Sequence, residues 1–418
     1  MSAIPSRPKW LTDDLIEQAR RCPWPRSDCP PGRWTFVKTL GITSDKAQRL
    51  ASHLRTNGIT ALATEAEPSV VSPEVEAALN QRIAWLEDEN KQLRHDRTVA
   101  QVLADAMAGA VAQLPALKIS GKPPVVAKSD LDDEDVILFV SDPQVGSVVD
   151  EEQTGGLGRY NYDEFRIRFD RYRAGVHRIL RYHPNRIQTC YLALGGDLVE
   201  GTTIFRGQQR QVDLAAVKQV VAVYEHLSQL VADLAETFPA VKVISVSGNH
   251  GRIGMKGECA PNDNLDWLAA WFVRERCKLS GITNVEFSLP ETWWALFRVR
   301  NSLFYLGHGD DFKSWLGIPF YGAERFRSRV RELLRQSFGL EANPDYFLLG
   351  HHHQPAEIPG VFLNGCWPGG SEFSLKRLQA GGDPVQWMIG VHDHQGVSWT
   401  RKVYLADRRE RPPAPIFT

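Results

Sequence analysis

Carboxylates, amides and imidazoles recur in this chain at one kind of place, the point where an apolar run gives out. "DVILFVSDPQVG" ends in Asp142 and Gln144, "TCYLALGGDLVEG" in Asp197 and Glu200, and "VKVISVSGNHGR" in Asn249, His250 and Arg252. "SLFYLGHGDDF" ends in His308, and "DYFLLGHHHQP" in His351, His352 and His353. One Asp or His at a strand end is ordinary turn chemistry or a satisfied core histidine. Five such ends in series are a different pattern. Carboxylate, amide oxygen and neutral imidazole are the donors that Mn, Fe or Zn take in dinuclear hydrolases, and a carboxylate within the set can bridge two ions.

The runs themselves read as strands buried on both faces, because they are continuously apolar rather than alternating. Helical stretches around 163–183 and 211–236 separate the first three, so the order is β-α-β-α-β, with a largely parallel sheet and helices on its faces. Ligands of such sheets gather beyond the carboxyl ends of the strands, where all of the residues above fall.

The rest of the chain divides by composition. Residues 1–62 are polar and helical in pattern, with ten Lys and Arg against five Asp and Glu over the first 60 residues. Within them "RWTFVKTLGITSDKAQRLASHLRTNG" predicts two helices about a turn at Gly41, the second capped by Thr43 or Ser44 and closed at Gly58, a helix-turn-helix-like module suited to DNA or another nucleic acid. Residues 72–112 predict one long helix, started by Ser72, Pro73, Glu74 and Glu76. Leu79, Leu86 and Leu93 recur every seven residues, which places Ile83 and Asn90 at the alternate core position and makes Arg82–Glu87 and Glu89–Arg94 attractive pairs between two copies. A homodimer through residues 75–100 is therefore expected. A linker at 113–133, the main domain at 134–405 and a tail at 406–418 complete the division.

The bulk numbers set few limits. The 418 residues, 43% hydrophobic and 24% charged, with a net charge of -1, describe an ordinary globular protein with no global pull toward polyanions. The six cysteines lack the paired spacing of a zinc knuckle or the density of a disulfide scaffold. No signal-peptide core and no run near 18 apolar residues is present, so a cytoplasmic location without membrane association is expected.

The ordered set "DPQ", "GGDLVEG", "GNHG", "GHGD" and "GHHH" resembles the calcineurin-like metallophosphoesterase superfamily over residues 134–375. The resemblance implies a two-sheet β-sandwich flanked by helices, preceded here by the all-α region and the coiled-coil helix. It implies two divalent metal ions, with Mn the expected choice and Mg, Fe or Zn the others. Asp142 and His353 would hold the first, Asp197 would bridge, and Asn249, His308 and His351 would hold the second. His352 would point elsewhere. The reaction implied is in-line attack on phosphorus by hydroxide held between the metals. His250 would protonate the leaving oxygen, Glu200 would hold its ring, and Arg252 would reach a phosphate oxygen.

Two departures stand out. Gln144 replaces a His that the family carries at the first metal, and its harder carbonyl oxygen favours Mn or Mg over Zn or Fe. Gly251 stands where relatives often carry Asp or Glu, and is read as leaving room for a bulky substrate. The substrate expected is DNA, on the strength of the basic N-terminal module, the Arg-rich stretches "DEFRIRFDRYRAGVHRILRYHPNR" and "AERFRSRVRELLRQ", and Arg206 and Arg210 after the Asp197 loop. A softer likeness of "FLNGCWPGGSEFSL" is to phage and prophage phosphoesterases, distantly similar to SbcD-type DNA repair nucleases. The competing readings are a phosphomonoesterase acting on protein or nucleotide, and a catalytically weak DNA-binding or scaffold protein. Whether a partner ATPase is required is left open by the sequence.

Overall fold

In a computed structural model, the described residues are 10–22, 40–57, 59, 77, 80–88, 109, 117, 134–205, 207–254, 256–314, 318–370 and 383–407. The chain divides into two compact units, Met1–Gln101 and Val102–Thr418. In the first, α1 (Asp13–Arg20) is capped by Thr12, whose hydroxyl accepts from the Leu15 N–H, and α2 (Ser44–Thr56) follows Thr43 at its cap. Gly41 takes positive φ before α2. Ala19, Ala47, Leu50, Ala51 and Leu54 form a small buried core with Leu40 and Ile42 packed against it. Residues 80–88 are helical. The expected first helix of the helix-turn-helix apart from Leu40, its closing Gly58, most of the 72–112 helix, the 113–133 linker apart from Leu117, and Arg206 lie outside the described residues.

The second unit is a mixed α/β structure built on two sheets. Strands β1 (Glu134–Val140), β2 (Thr189–Leu194), β3 (Ala240–Ser245) and β4 (Val285–Ser288) are parallel, joined by α3 (Tyr162–Arg181), α4 (Ala216–Thr237) and α5 (Leu265–Leu279). The second sheet comprises β5 (Trp294–Val299), β6 (Ser302–Gly307), β7 (Tyr346–Leu349), β8 (Ala356–Ile358) and β9 (Val361–Leu363), with α6 (Phe320–Phe338) before β7. Its order is β5-β6-β7-β9-β8, with β6, β7 and β9 parallel. The terminal hairpin β10 (Val385–His392) and β11 (Gly396–Tyr404) belongs to the first sheet, since β10 pairs antiparallel with β1 from Glu134–His392 to Phe139–Trp387.

Alternation along each strand sorts the core into layers. Val136, Leu138 and Val140 of β1 face the helices with Phe165, Phe169 and Tyr172 of α3, while Ile137 and Phe139 face the other sheet with Phe304, Leu306 and Leu348. Tyr305, Phe347 and Leu349 turn outward to Ala323 and Leu334 of α6. Both sheets are thus covered over their central strands, which is why β1, β6, β7 and β9 are continuously apolar, whereas the edge strands β4 and β11 alternate. Trp367, 1% exposed, stacks among Phe165, Phe169 and Tyr172, and its backbone N–H donates to the Asp142 carbonyl at 3.0 Å. Truncating a buried aromatic of this size costs about 3–5 kcal/mol. Here the same residue ties the core to the first polar strand end.

Candidate metal centre

Among the described residues six that are not glycine have positive φ: Asp142, Gln144, Asp197, Arg300, His351 and His353. Arg300 turns the β5–β6 hairpin; the other five are residues singled out from the sequence as metal ligands. A left-handed conformation costs an L-residue of order 1 kcal/mol or more and persists only where surrounding bonds fix it. The bonds are present. Asp142 N–H donates to Gly196 O at 3.0 Å, Gln144 N–H to Asp197 O at 3.0 Å and Val145 N–H to Leu198 O at 3.0 Å, so the loops after β1 and β2 are zipped together. Gly248 lies so close to this pair that a Cβ there would stand 2.1 Å from Asp197 Oδ1. That approach explains the glycine of "GNH".

Asp197, Asn249, His308 and His351 converge. His308 Nε2 lies 3.0 Å from Asp197 Oδ2, 3.0 Å from Asn249 Oδ1 and 3.3 Å from His351 Nδ1. His308 Nδ1, 2.8 Å from the Gly195 carbonyl, is the donor of that bond, so Nε2 is the atom turned into the cluster. Asp197, His308 and His351 offer ligand atoms all within 4.8 Å of one another. Asp197 Oδ2 is buried and has no hydrogen-bond partner unless His308 carries a second proton. A buried carboxylate oxygen in that position calls for a cation. Beside it Asp142, fully buried, lies 3.3 Å from His353 Nε2, and Gln144 Nε2 lies 3.3 Å from the same nitrogen. Rotating the Gln144 amide by half a turn presents its carbonyl oxygen at that place. The residues present therefore fit a divalent cation at Asp197, His308 and His351, with Asn249 beside them, and Asp142, Gln144 and His353 form a second polar cluster next to it.

Without cations, protons stand in for them. Burial opposes charge on His308, but Asp197 outweighs it and raises the ring to about 10. His351 goes the other way, pushed down to about 3 by burial and by the neighbouring His308 charge, and so stays neutral. Burial likewise opposes charge on His353, yet the Cys366 sulfur and Asp142 hold it well above its ordinary value. His352 turns away: its Nδ1 meets Ser314 Oγ at 3.1 Å, its ring packs 4.4 Å from Phe312, and burial lowers it to about 4.

His250 sits at the edge of the cluster. Its N–H donates to Asp197 Oδ1 at 2.7 Å, and its Nδ1 lies 3.1 Å from Glu200 O and 3.3 Å from Glu200 Oε2. Nε2 lies 3.9 Å from Asp197 Oδ2, and the side chain is partly exposed. Burial resists charge on this ring, but Asp197 and then Glu200 raise it to about 9. Arg252 donates from Nε to Asn249 O at 3.0 Å, bracing a ligand loop rather than presenting its whole guanidinium outward.

Three braces were not visible in the sequence. Gln208 Nε2 donates to Glu200 Oε1 at 2.9 Å, Gln219 Oε1 accepts from Gly201 N–H at 2.8 Å, and Asn364 with Gln386 holds Ser141 immediately before Asp142. Each is a lone buried polar residue in a helix, turn or strand, and no spacing distinguishes it from a surface one. The reading of Gly251 is corrected: the space a side chain would use is filled, since its Cβ would lie 2.3 Å from Asn264 Oδ1. It opens no room for substrate.

No protein-family model matches the chain, and no curated protein matches it. Among solved structures it is similar to vacuolar protein sorting 29 from Cryptosporidium parvum, at 15% identity over 62% of this chain and 87% of that one, with a TM-score of 0.29. A conserved protein from Streptococcus pneumoniae described as a predicted phosphoesterase matches at 11% identity, over 64% and 97%, with a TM-score of 0.24. Phosphopantetheinyl hydrolase from Mycobacterium tuberculosis matches at 13%, over 67% and 99%, with a TM-score of 0.23. Likenesses this distant carry no weight for activity, which rests on the geometry above.

The raised His250 has a signed consequence. Its folded value of about 9 exceeds the ordinary 6.5, so its ion pairs contribute stability fully below pH 6.5 and lose it as pH rises through about 9. In metal-free protein, NMR titration of the His250 ring is expected to give a midpoint near 9 that falls in Glu200→Gln. An ordinary midpoint unmoved by the substitution contradicts this electrostatic account.

Proposed function

We propose that residues 134–407 form a metal-dependent phosphoesterase of the calcineurin-like kind, cleaving phosphodiester bonds of DNA. The observation that carries the first part is the buried convergence of Asp197 Oδ2, Asn249 Oδ1, His308 Nε2 and His351 Nδ1 from both sheets, a set that needs a positive charge, either the raised His308 proton or a cation in its place. Two divalent cations bound there would supply Lewis acidity toward the phosphoryl oxygens and a nucleophile from water at neutral pH. The chain's own residues do the rest. Asp142, Gln144, Asp197, Asn249, His308, His351 and His353 set the positions at which charge is neutralised. His250, held by Glu200 at Nδ1, keeps a proton on Nε2 for the departing oxygen. Gln144 in place of imidazole supports Mn or Mg over Zn.

DNA as the substrate is supported by the basic helical unit at the N-terminus, not by the Arg-rich helices. Many of those arginines are spent internally: Arg168 on Glu164 and Trp367 O, Arg173 on Asp233, Arg327 on Glu324, Arg335 on Glu332 and Arg331 on Asn343. The dimer is proposed on the 80–88 helical stretch, where Ile83 and Leu86 are 49% and 40% exposed at the spacing of a heptad seam.

Two experiments test these readings. With Mn, the wild-type protein is expected to cleave a bis-aryl phosphodiester and end-labelled DNA, and Asp197→Ala and His250→Ala to lose at least about a hundredfold. Faster turnover of a monoester than of any diester would remove DNA from the account, and silence on all substrates with every metal would leave a binding protein. Sedimentation of the full chain is expected to show a dimer that Ile83→Lys with Leu86→Lys dissociates; an unchanged dimer would place the interface elsewhere.

A further inference from the structure

The N-terminus of α5 reaches into both ligand loops. Asp266, fully buried in its first turn, accepts from Leu198 N–H at 2.9 Å and Val199 N–H at 3.2 Å through Oδ1, and from Gly248 N–H at 2.9 Å through Oδ2. The first two amides directly follow Asp197 and the third directly precedes Asn249. Asn264, the cap of α5, adds a bond from Nδ2 to Gly248 O at 2.8 Å, and Leu265 N–H donates to Gly251 O at 2.7 Å. One carboxylate thus links, through charge-assisted bonds, the loops after β2 and β3.

Position 251 shows that this arrangement excludes its alternative. Gly251 is not in the left-handed region, so its backbone would accept a side chain; what forbids one is α5 itself. A Cβ would stand 2.3 Å from Asn264 Oδ1 and 3.0 Å from Asp266 Oδ1. Either the loop carries a side chain here or the helix places its amide and carboxylate in that space.

We infer that Asp266 is a positioning residue of the metal centre, fixing Asp197 and Asn249 relative to each other from α5 and requiring glycine at 251. It touches no ligand side chain and acts through three backbone amides. The inference rests on the metal-centre reading above, and its test separates the two.

Asp266→Asn keeps an acceptor toward Leu198 and Val199 but sets an amide nitrogen against the Gly248 N–H. Gly251→Ala leaves the carboxylate intact and forces Asn264 aside, so it carries the test if Asp266→Asn fails to fold. Asp263→Asn, at an exposed carboxylate before the cap, is the control. Hydrogen exchange of the metal-free proteins and Mn titration calorimetry well below the melting temperature are the readouts. Both variants are expected to lose protection at Gly248 and to bind Mn about tenfold to a hundredfold more weakly, the range for residues that orient ligands from behind; the control is expected to do neither. Wild-type protection and affinity in the variants, or a lower melting temperature with unchanged affinity, would overturn the inference. Should the wild type bind no Mn, the metal-centre reading falls, and the exchange data alone decide whether Asp266 holds the loops.

Discussion

A mutual repulsion organises this domain. Asp197 Oδ2, Asn249 Oδ1, His308 Nε2 and His351 Nδ1 are brought within bonding distance of a common centre in a buried place, and they stay together only because the backbone holds them and a positive charge, the raised His308 proton or a cation in its place, joins them. The holding falls to the backbone. Five candidate ligand residues take left-handed conformations, the loops after β1 and β2 are zipped by three amides, and Gly248 lets the loop after β3 close on Asp197. The two sheets matter because they deliver these turns from opposite sides to one edge, and the fully apolar layers between them leave no freedom for the strand ends to drift.

Gln144 no longer stands apart from this logic. Its backbone is as strained as that of its neighbours, its N–H is bonded to Asp197 O, and its amide lies beside His353. Under the proposed reading that place is a ligand's, and an amide oxygen there would alter which cation is preferred more than whether one is held.

The residues that converge here were legible because their signal is local: an apolar run long enough for a strand, then Asp, Asn or His within three residues. The parallel order of β1 to β3 was legible for the same reason. What the sequence hid depends on distant pairing. The hairpin of β10 and β11 completes the sheet beside β1, a placement set by contacts some 250 residues apart. Gln208, Gln219, Asn364 and Asp266 sit in ordinary patterns and reveal their role only through the amides and side chains they meet. In the Arg-rich helices composition shows the charge but not the carboxylate that Arg168, Arg173, Arg327 and Arg335 each meet. Gly251 was misread because an empty side chain in a sequence says nothing about which atoms fill its space.

The central claim is that this cluster is a two-cation site. Manganese added to metal-free protein and followed by electron paramagnetic resonance tests it most directly. Two ions per chain with an exchange-coupled spectrum, reduced to one or none in Asp197→Ala, is the result predicted. A single magnetically isolated ion, or loading that ignores Asp197, would contradict the assignment of that carboxylate as the bridge between two metals.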